Sequence, residues 1–565
     1  MSLKIPYGVS NFKKIRSEGF VYIDKTSYIA ELEQAGDHLI LLRPRRFGKS
    51  LFLSMLEYYY GQQHAGDFDA LFGQLAIGKN PTALQGSYQV LFLEFSGIAT
   101  ANEADIYRSF THKIHLALQH FLILYHYPQT ALDSLTQSEA PHDKMEAFFK
   151  AIEGQKILIL IDEYDHFANS ILADDLKLFQ RIVGKGGFVR SFYETIKTAT
   201  QRGTVDRLFI TGVTPMVLDS MTSGFNIGEN ISLRENFNAA IGFTTAEVQG
   251  LLENITNTCP ALDQPILYAD VRRWYNGYRF HINANEAMYN SDMVLYFVKN
   301  FEFKRCVYPK RMLDMNIASD YGKIMAMFSI GDRDTNYTVL DELLNQGEVV
   351  ARQMEKFDFV KGFTRDDFVS LLAYMGFISL IGERLAGEVF AIPNHVMREL
   401  YFQYFKVELE RRNQITISDR AILLAVETLA LDNHIQPLMA ELEQVLKLLS
   451  NRDSIWMNEQ HIKTIMLTLL YQSPAYFIHS EREMNRKYPD ILLLERSPYK
   501  VNYQHLIELK YSKKSDGDKG WAQKKQEGIE QVKGYLQLPT IAVLKQLSAW
   551  VVIADGDRVE WVIVA

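Results

Sequence analysis

Short apolar runs alternate with longer amphipathic stretches through the first 235 residues. The runs at 38–42, 89–95, 156–161 and 206–211 have strand length, so they predict buried β-strands. Strand–helix alternation of this kind predicts a mostly parallel sheet flanked by helices. Residues 236–360 read as mainly helical. Residues 364–405 give a helix, a strand at Phe377–Ile381, a polar turn with Gly387, a strand at Glu388–Ile392 and a helix after Pro393-Asn394. Residues 406–455 read as helices. The pattern then changes again: helix Asn458–Tyr471, strand Ala475–His479, apolar run Ile491–Leu494, strand Gln504–Lys510, and a helical segment holding Glu530–Tyr535. There is no internal repeat and no low-complexity tract. These shifts predict an α/β multidomain chain with a parallel-sheet region at 1–235, a mainly helical linking region at 236–455, and a third α/β domain at 456–565.

Composition sharpens this only slightly. A chain of 565 residues is too long for one core. Apolar content of 47% and charged content of 23% are those of an ordinary globular protein. With 30 Tyr and 34 Phe the chain argues against long disorder. Two cysteines, Cys259 and Cys306, do not suggest a disulfide framework, and the chain reads as intracellular and cytoplasmic. The N-terminus lacks a basic-then-apolar signal. No uninterrupted apolar run is long enough to span a bilayer; even Ile114–Tyr127 is broken by His115, Gln119, His120 and His126. A net charge of −8 excludes an all-over nucleic-acid coat, so any such contact needs a local patch. Lys510, Lys513, Lys514, Lys519, Lys524 and Lys525 are the candidate, although a solvated loop has the same composition.

The chemistry lies in two places. Arg45-Arg46-Phe47-Gly48-Lys49-Ser50 follows the apolar run Leu39–Leu42 and precedes the helical run Leu51–Tyr60. Strand, turn, Gly-Lys-Ser and helix form a phosphate cradle, because amides at a helix start and the helix dipole both favour anions. Arg46, Phe47 and Gly48 would form the cradle, Lys49 would reach the β/γ-phosphates of ATP, and Ser50 would ligate Mg²⁺. The usual pattern has glycine at position 43; this chain has Arg43 and then Pro44, which predicts a stiffer loop. Lys156–Glu163 is an apolar strand ending in two acids: Asp162 would hold the Mg²⁺ shell and Glu163 would activate water. Thr211 closes a further strand and is the candidate sensor of the γ-phosphate; a strand-terminal threonine without a role fits equally.

The second place is Tyr488-Pro489-Asp490 followed by Glu508-Leu509-Lys510. Two converging carboxylates suit a hard cation such as Mg²⁺, with Mn²⁺ as the alternative. The cation would polarise a phosphate and acidify a bound water. Residues two apart on a strand share a face, so Glu508 and Lys510 point together while Leu509 enters the core. Alone, this spacing suits a solvated salt-bridge ladder better than a metal site. Glu459, on the preceding helix, is a further candidate metal ligand, and Gln531, on the following one, a candidate for positioning water or substrate.

The order helix, strand, Asp-strand, Glu-x-Lys strand, helix with Gln resembles the PD-(D/E)XK nuclease superfamily, on Asn485–Leu493, Glu508-Leu509-Lys510 and Glu530-Gln531. Ile5–Gly8, Tyr22–Thr26, Leu42–Ser50, Asp162–Asp165, Thr211–Val213 and Trp274–Tyr278 resemble the bacterial AAA-ATPase-like family. The resemblance implies a P-loop ATPase core and a restriction-endonuclease-like C-terminal domain. It implies no settled substrate. The hairpin region at 364–405 resembles a winged-helix element, with only Arg384 in its turn. The expected function is ATP-regulated, metal-dependent cleavage of nucleic acid, DNA being favoured, with a homo-oligomer as the expected assembly and no membrane partner. The alternative is a nucleotide-dependent switch or remodelling factor whose nuclease-like domain binds nucleic acid or a partner without cutting.

Overall fold

The apolar run His38–Leu42 forms strand β1, and all four of its residues after His38 are buried. Gln89–Glu94 (β2), Ile157–Asp162 (β3), Val205–Gly212 (β4) and the short Glu229–Asn230 (β5) complete one sheet, in the order β2-β3-β4-β1-β5. Every pairing in it is parallel. Such a sheet is covered on both faces, which is why its strands read as near-continuous Leu/Ile runs. The structure is a computed structural model describing residues 3–215, 227–314, 326–357, 363–450, 458–480, 489–556 and 558–565.

The chain divides into two compact units. One comprises 1–300, 313–339 and 349–394; the other 301–312, 340–348 and 395–565. The first unit holds the parallel sheet and a smaller one of Val349–Ala351 (β6), Ser379–Arg384 (β7) and Gly387–Ala391 (β8), in the order β6-β8-β7. The helix Arg365–Met375 precedes that hairpin; its capping box of Thr364 and Asp367 starts it, and left-handed Gly376 stops it. Helix and hairpin agree with the winged-helix-like pattern of the sequence, and β6 extends it by one strand.

The second unit is built on Tyr476–Ser480 (β9), Ile491–Glu495 (β10), Gln504–Tyr511 (β11), Leu547–Ala554 (β12) and Val559–Ile563 (β13), in the order β13-β12-β11-β10-β9. Only β11 and β12 run parallel. The helix Gly517–Leu536 covers β11 and β12, and its Trp521 and Val532 share a core with Leu506, Val551 and Ile553. The helix Glu459–Leu470 carries a largely buried run and packs against β11.

Neither Cys259 nor Cys306 is free; both are disulfide-bonded. Among the described residues no helix is long and apolar enough to cross a membrane. Asn485–Tyr488, part of the C-terminal resemblance, lie outside the described residues.

Candidate functional sites

The first site sits where β1 ends. Residues 43–48 join β1 to the helix Lys49–Tyr60, with Arg46 at φ 65° and Gly48 at φ 99°. The left-handed conformation is free for Gly48 and costs Arg46 about 1–2 kcal/mol. Segment 290–292 holds the strained turn. The Asp292 amide donates to the Arg46 carbonyl at 3.2 Å, the Ser291 hydroxyl to the same oxygen at 3.4 Å, and the Arg46 guanidinium lies 3.5 Å from the Asp292 carboxylate. The buried Lys49 ammonium donates to the carbonyls of Arg43 (3.1 Å) and Pro44 (3.0 Å), so it braces the loop from inside. Burial lowers its pKa, against the pull of Glu163, Asp162 and Asp165.

The arginine standing at the glycine position has a structural explanation. Arg43 is 1% exposed and turns away from the loop. Its guanidinium donates to the carbonyls of Leu42, Ser232 and Phe237 and lies 3.9 Å over the Phe280 ring. Burial pushes it down to about 9. Pro44 packs so closely on Gly376 that a Cβ there would stand 2.8 Å from the proline ring. These contacts make a braced loop, in line with the stiffness read from the sequence.

A cavity of about 410 Å³ opens beside the loop, lined by Arg46–Ser50 together with Glu163 and Asp165. That volume is ordinary for a small-molecule site, typically ~300–1,000 Å³. Phe47 lends mainly backbone, because its ring is buried edge-on against Tyr278 and Phe280. Glu163 follows β3 in the left-handed conformation at φ 51°, and burial raises its carboxyl above the ordinary value. Asp162 and Thr211 are buried and do not line the cavity. The Thr211 hydroxyl donates to Asp162 Oδ1 at 2.8 Å, and the Glu163 amide to the same oxygen at 2.9 Å. Thr211 therefore orients the acid, an arrangement the sensor reading did not foresee.

Asp165 is the residue sequence reasoning passed over here. It is buried and accepts from the amides of Val213 (3.1 Å) and Thr214 (2.7 Å) and from the Asn169 side chain (2.6 Å). An acid three residues past Asp162 reads as a helix cap; only the segment that follows the parallel neighbour β4 gives it amides to hold. Arg279, in the aromatic Trp274–Phe280 segment, does not line this cavity. It borders another of about 760 Å³ and donates to the Ile282 carbonyl at 3.5 Å.

The second site lies in the other unit. Ile491 of β10 pairs with Ile507 of β11, which brings Asp490 beside Glu508. The Leu509 amide donates to Asp490 Oδ2 at 2.9 Å, and the Asp490 amide to Glu508 Oε2 at 3.4 Å. Lys510 donates to Glu508 Oε1 at 2.8 Å, while Leu509 is fully buried, as strand alternation predicts. Burial, with Asp490 as a second cause, pushes the Glu508 carboxyl up to about 7. Burial pulls Lys510 down, but Glu508 outweighs it and leaves the ammonium above its ordinary value.

Glu459 is looser. Its Oε1 lies 3.7 Å from the Lys510 ammonium, its Oε2 accepts from the Tyr511 amide at 3.4 Å, and its side chain is 45% exposed. Gln531 lines an open cavity of about 590 Å³ with Glu459, Lys510, Lys524, Glu527 and Glu530. Among the described residues, no group of three or more His, Cys, Asp or Glu is placed to hold a metal ion. Asp490 and Glu508 still fit a hard cation as a pair, since Mg²⁺ is commonly bound by one or two carboxylates plus water and phosphate. Part of the lysine patch is neutralised: Lys524 pairs with Glu527 at 2.8 Å and Lys525 with Glu560 at 2.6 Å. Lys463 is the residue sequence reasoning missed at this site. It comes from the Glu459 helix, and its ammonium lies 3.3 Å from Asp490 Oδ1.

Comparison with known proteins finds a family match over each of the two regions that hold these sites. Residues 6–222 match the family model described as predicted AAA-ATPase, and residues 457–562 match the PD-(D/E)XK nuclease superfamily. The chain is 29% identical over 307 residues to an uncharacterized protein in the vnfD 5' region of Azotobacter chroococcum mcd 1, covering 53% of each chain. It thus spans about half the length of that curated relative. With Lys49 and Glu163 at one cavity and Asp490, Glu508 and Lys510 together on another sheet, the chain joins an AAA-ATPase-like region to a C-terminal PD-(D/E)XK nuclease superfamily domain.

Proposed function

We propose that the chain binds and hydrolyses ATP and cleaves nucleic acid in a metal-dependent reaction that ATP regulates. In this reading Arg46, Phe47 and Gly48 cradle the phosphates, Lys49 neutralises them, and Ser50 and Asp162 hold Mg²⁺. Glu163 activates the attacking water, and Thr211 keeps Asp162 in place. At the C-terminal domain Asp490 and Glu508 are the metal ligands, with Glu459 at the exposed rim. Mg²⁺ or Mn²⁺ there would polarise the scissile phosphate and acidify a water. Lys510 stabilises the charge that develops, and Gln531 positions water or the substrate backbone. DNA as the favoured substrate, a homo-oligomeric state and cytoplasmic residence belong to the same reading, as do the domain limits 1–235, 236–455 and 456–565.

The observation that carries it is the buried set of Asp490, Glu508 and Lys510, side by side and hydrogen-bonded. Buried ionisable groups with specific charge partners, clustered beside a cavity, are candidates for a functional site. The second reading, a switch that binds without cutting, draws on the absence of a three-acid group among the described residues. One assay separates them. Single- and double-stranded DNA and RNA are incubated with the full chain, with and without ATP, in Mg²⁺ and in Mn²⁺. Cleavage that Asp490→Asn and Glu508→Gln abolish, with ATP turnover unchanged, supports the nuclease. If the wild type cuts nothing and calorimetry finds no metal binding that Asp490→Asn removes, the switch replaces it.

A further inference from the structure

Lys463 is an unusual place to keep a charge. It lies mid-helix in Glu459–Leu470, its side chain is 8% exposed, and the Asp490 side chain it meets is 10% exposed. Burying an ammonium is costly unless it is paired, so the contact with Asp490 is one the fold has to maintain. Glu459 and Lys463 are one helical turn apart and share a face. Glu459 reaches the exposed rim while Lys463 reaches the buried carboxylate.

The two oxygens of Asp490 are used differently. Oδ2 accepts from the Leu509 amide at 2.9 Å, which ties it to β11. Oδ1 faces Lys463 at 3.3 Å. On Glu508, Oε1 is held by Lys510 at 2.8 Å and Oε2 receives only a long bond of 3.4 Å from the Asp490 amide. Each carboxylate therefore has one oxygen tied to backbone and one turned to an ammonium. A cation binding to both carboxylates needs the oxygens that now face lysines.

Resting on the metal-dependent reading above, we propose that Lys463 is a positioning residue that holds Asp490 Oδ1 in the metal-free protein and competes with the divalent cation for it. Asp490 and Glu508 then each face an ammonium when the site is empty, and metal entry must displace Lys463 from Asp490. Lys510 stays on the strand face with Glu508. The two lysines thus have separate duties: Lys510 faces the substrate cavity, and Lys463 guards the carboxylate.

The test is Mn²⁺ titration calorimetry on the full chain at fixed pH, with wild type, Lys463→Met and Lys463→Arg. Methionine keeps the apolar stem and removes the charge. An opposing charge at this distance is worth on the order of one pKa unit or more to a carboxylate. Lys463→Met should therefore bind Mn²⁺ about tenfold more tightly, and Lys463→Arg should stay near wild type. Unchanged or weaker binding in Lys463→Met, with the wild type binding normally, overturns the competition alone. No Mn²⁺ heat from either protein overturns the competition and the nuclease reading together. A second arm needs no metal. Urea denaturation in EDTA of Lys463→Met, Asp490→Asn and the double variant should show clear non-additivity, and simple additivity would overturn the pairing.

Discussion

At the scale of residues, the phosphate loop assigns different work to neighbours that look alike in sequence. Arg43 is buried against three carbonyls and an aromatic ring, whereas Arg46 carries the strained turn on its backbone. Lys49 and Glu163 reach the cavity, so they should separate binding from turnover. Lys49→Ala should weaken ATP binding, measured by calorimetry, and abolish phosphate release. Glu163→Gln should keep the affinity and lose turnover by about 10²–10⁴, the usual cost of a missing general base. Equal turnover in wild type and Glu163→Gln would remove Glu163 from the chemistry. The loop, the acidic strand end and the Glu-x-Lys strand were legible because each depends on local order alone. Asp165 and Lys463 were not, because their partners are far along the chain: the amides of 213 and 214 for one, Asp490 for the other. A lysine four residues after a glutamate reads as a solvated helix pair until the fold buries it.

At the scale of elements, hydrophobic period gave four strands of the parallel sheet, three strands of the second unit's sheet and the hairpin, each to within a few residues. It passed over Leu547–Ala554, apolar and buried though it is, and Val559–Ile563. The other misses follow from weak signals. Glu229–Asn230 is too short and polar to read as a strand, and β6 is three residues long. Neighbouring strands also left no mark, since pairing order depends on contacts the period does not encode. One close approach shows how finely an element is placed. Gly528 lies where the helix Gly517–Leu536 crosses β12, and a Cβ there would meet Val551 Cγ1 at 2.6 Å and Lys510 Cγ at 3.3 Å. Alanine favours a helix by about 1 kcal/mol over glycine. Overpacking typically costs ~1–3 kcal/mol, and branched Val551 on a central strand has little room to yield. The clash should therefore win: Gly528→Ala should lower the thermal midpoint, and Gly534→Ala, with open space at its Cβ, should not. Because Gln531 follows Gly528 by one helical turn, nuclease activity should fall with the first substitution and survive the second. A Gly528→Ala protein as stable as wild type would show that the helix can lift without penalty.

At the scale of the whole molecule, each unit has its own core and its own candidate site, so chemistry in one can be removed without dissolving the other. The sheet order of the first unit carries one more consequence. Strand β1 lies between β4 and β5, with His38 opposite Leu208 and Leu39 opposite Glu229. A ribosome therefore makes the whole phosphate loop, and then Asp162 and Glu163, long before β1 has any strand to pair with. Until Val205–Gly212 emerges, the nascent chain carries an apolar edge on each side of that strand, the kind of surface that chaperones shield and aggregates recruit. Chains arrested at increasing lengths and probed by limited proteolysis should leave the Lys49–Tyr60 helix open to cleavage until β4 and β5 are out. Protection in chains that end before Val205 would mean the loop is shaped by local sequence after all. Nucleotide competence would thus arrive late and all at once in the life of each molecule, timed by translation.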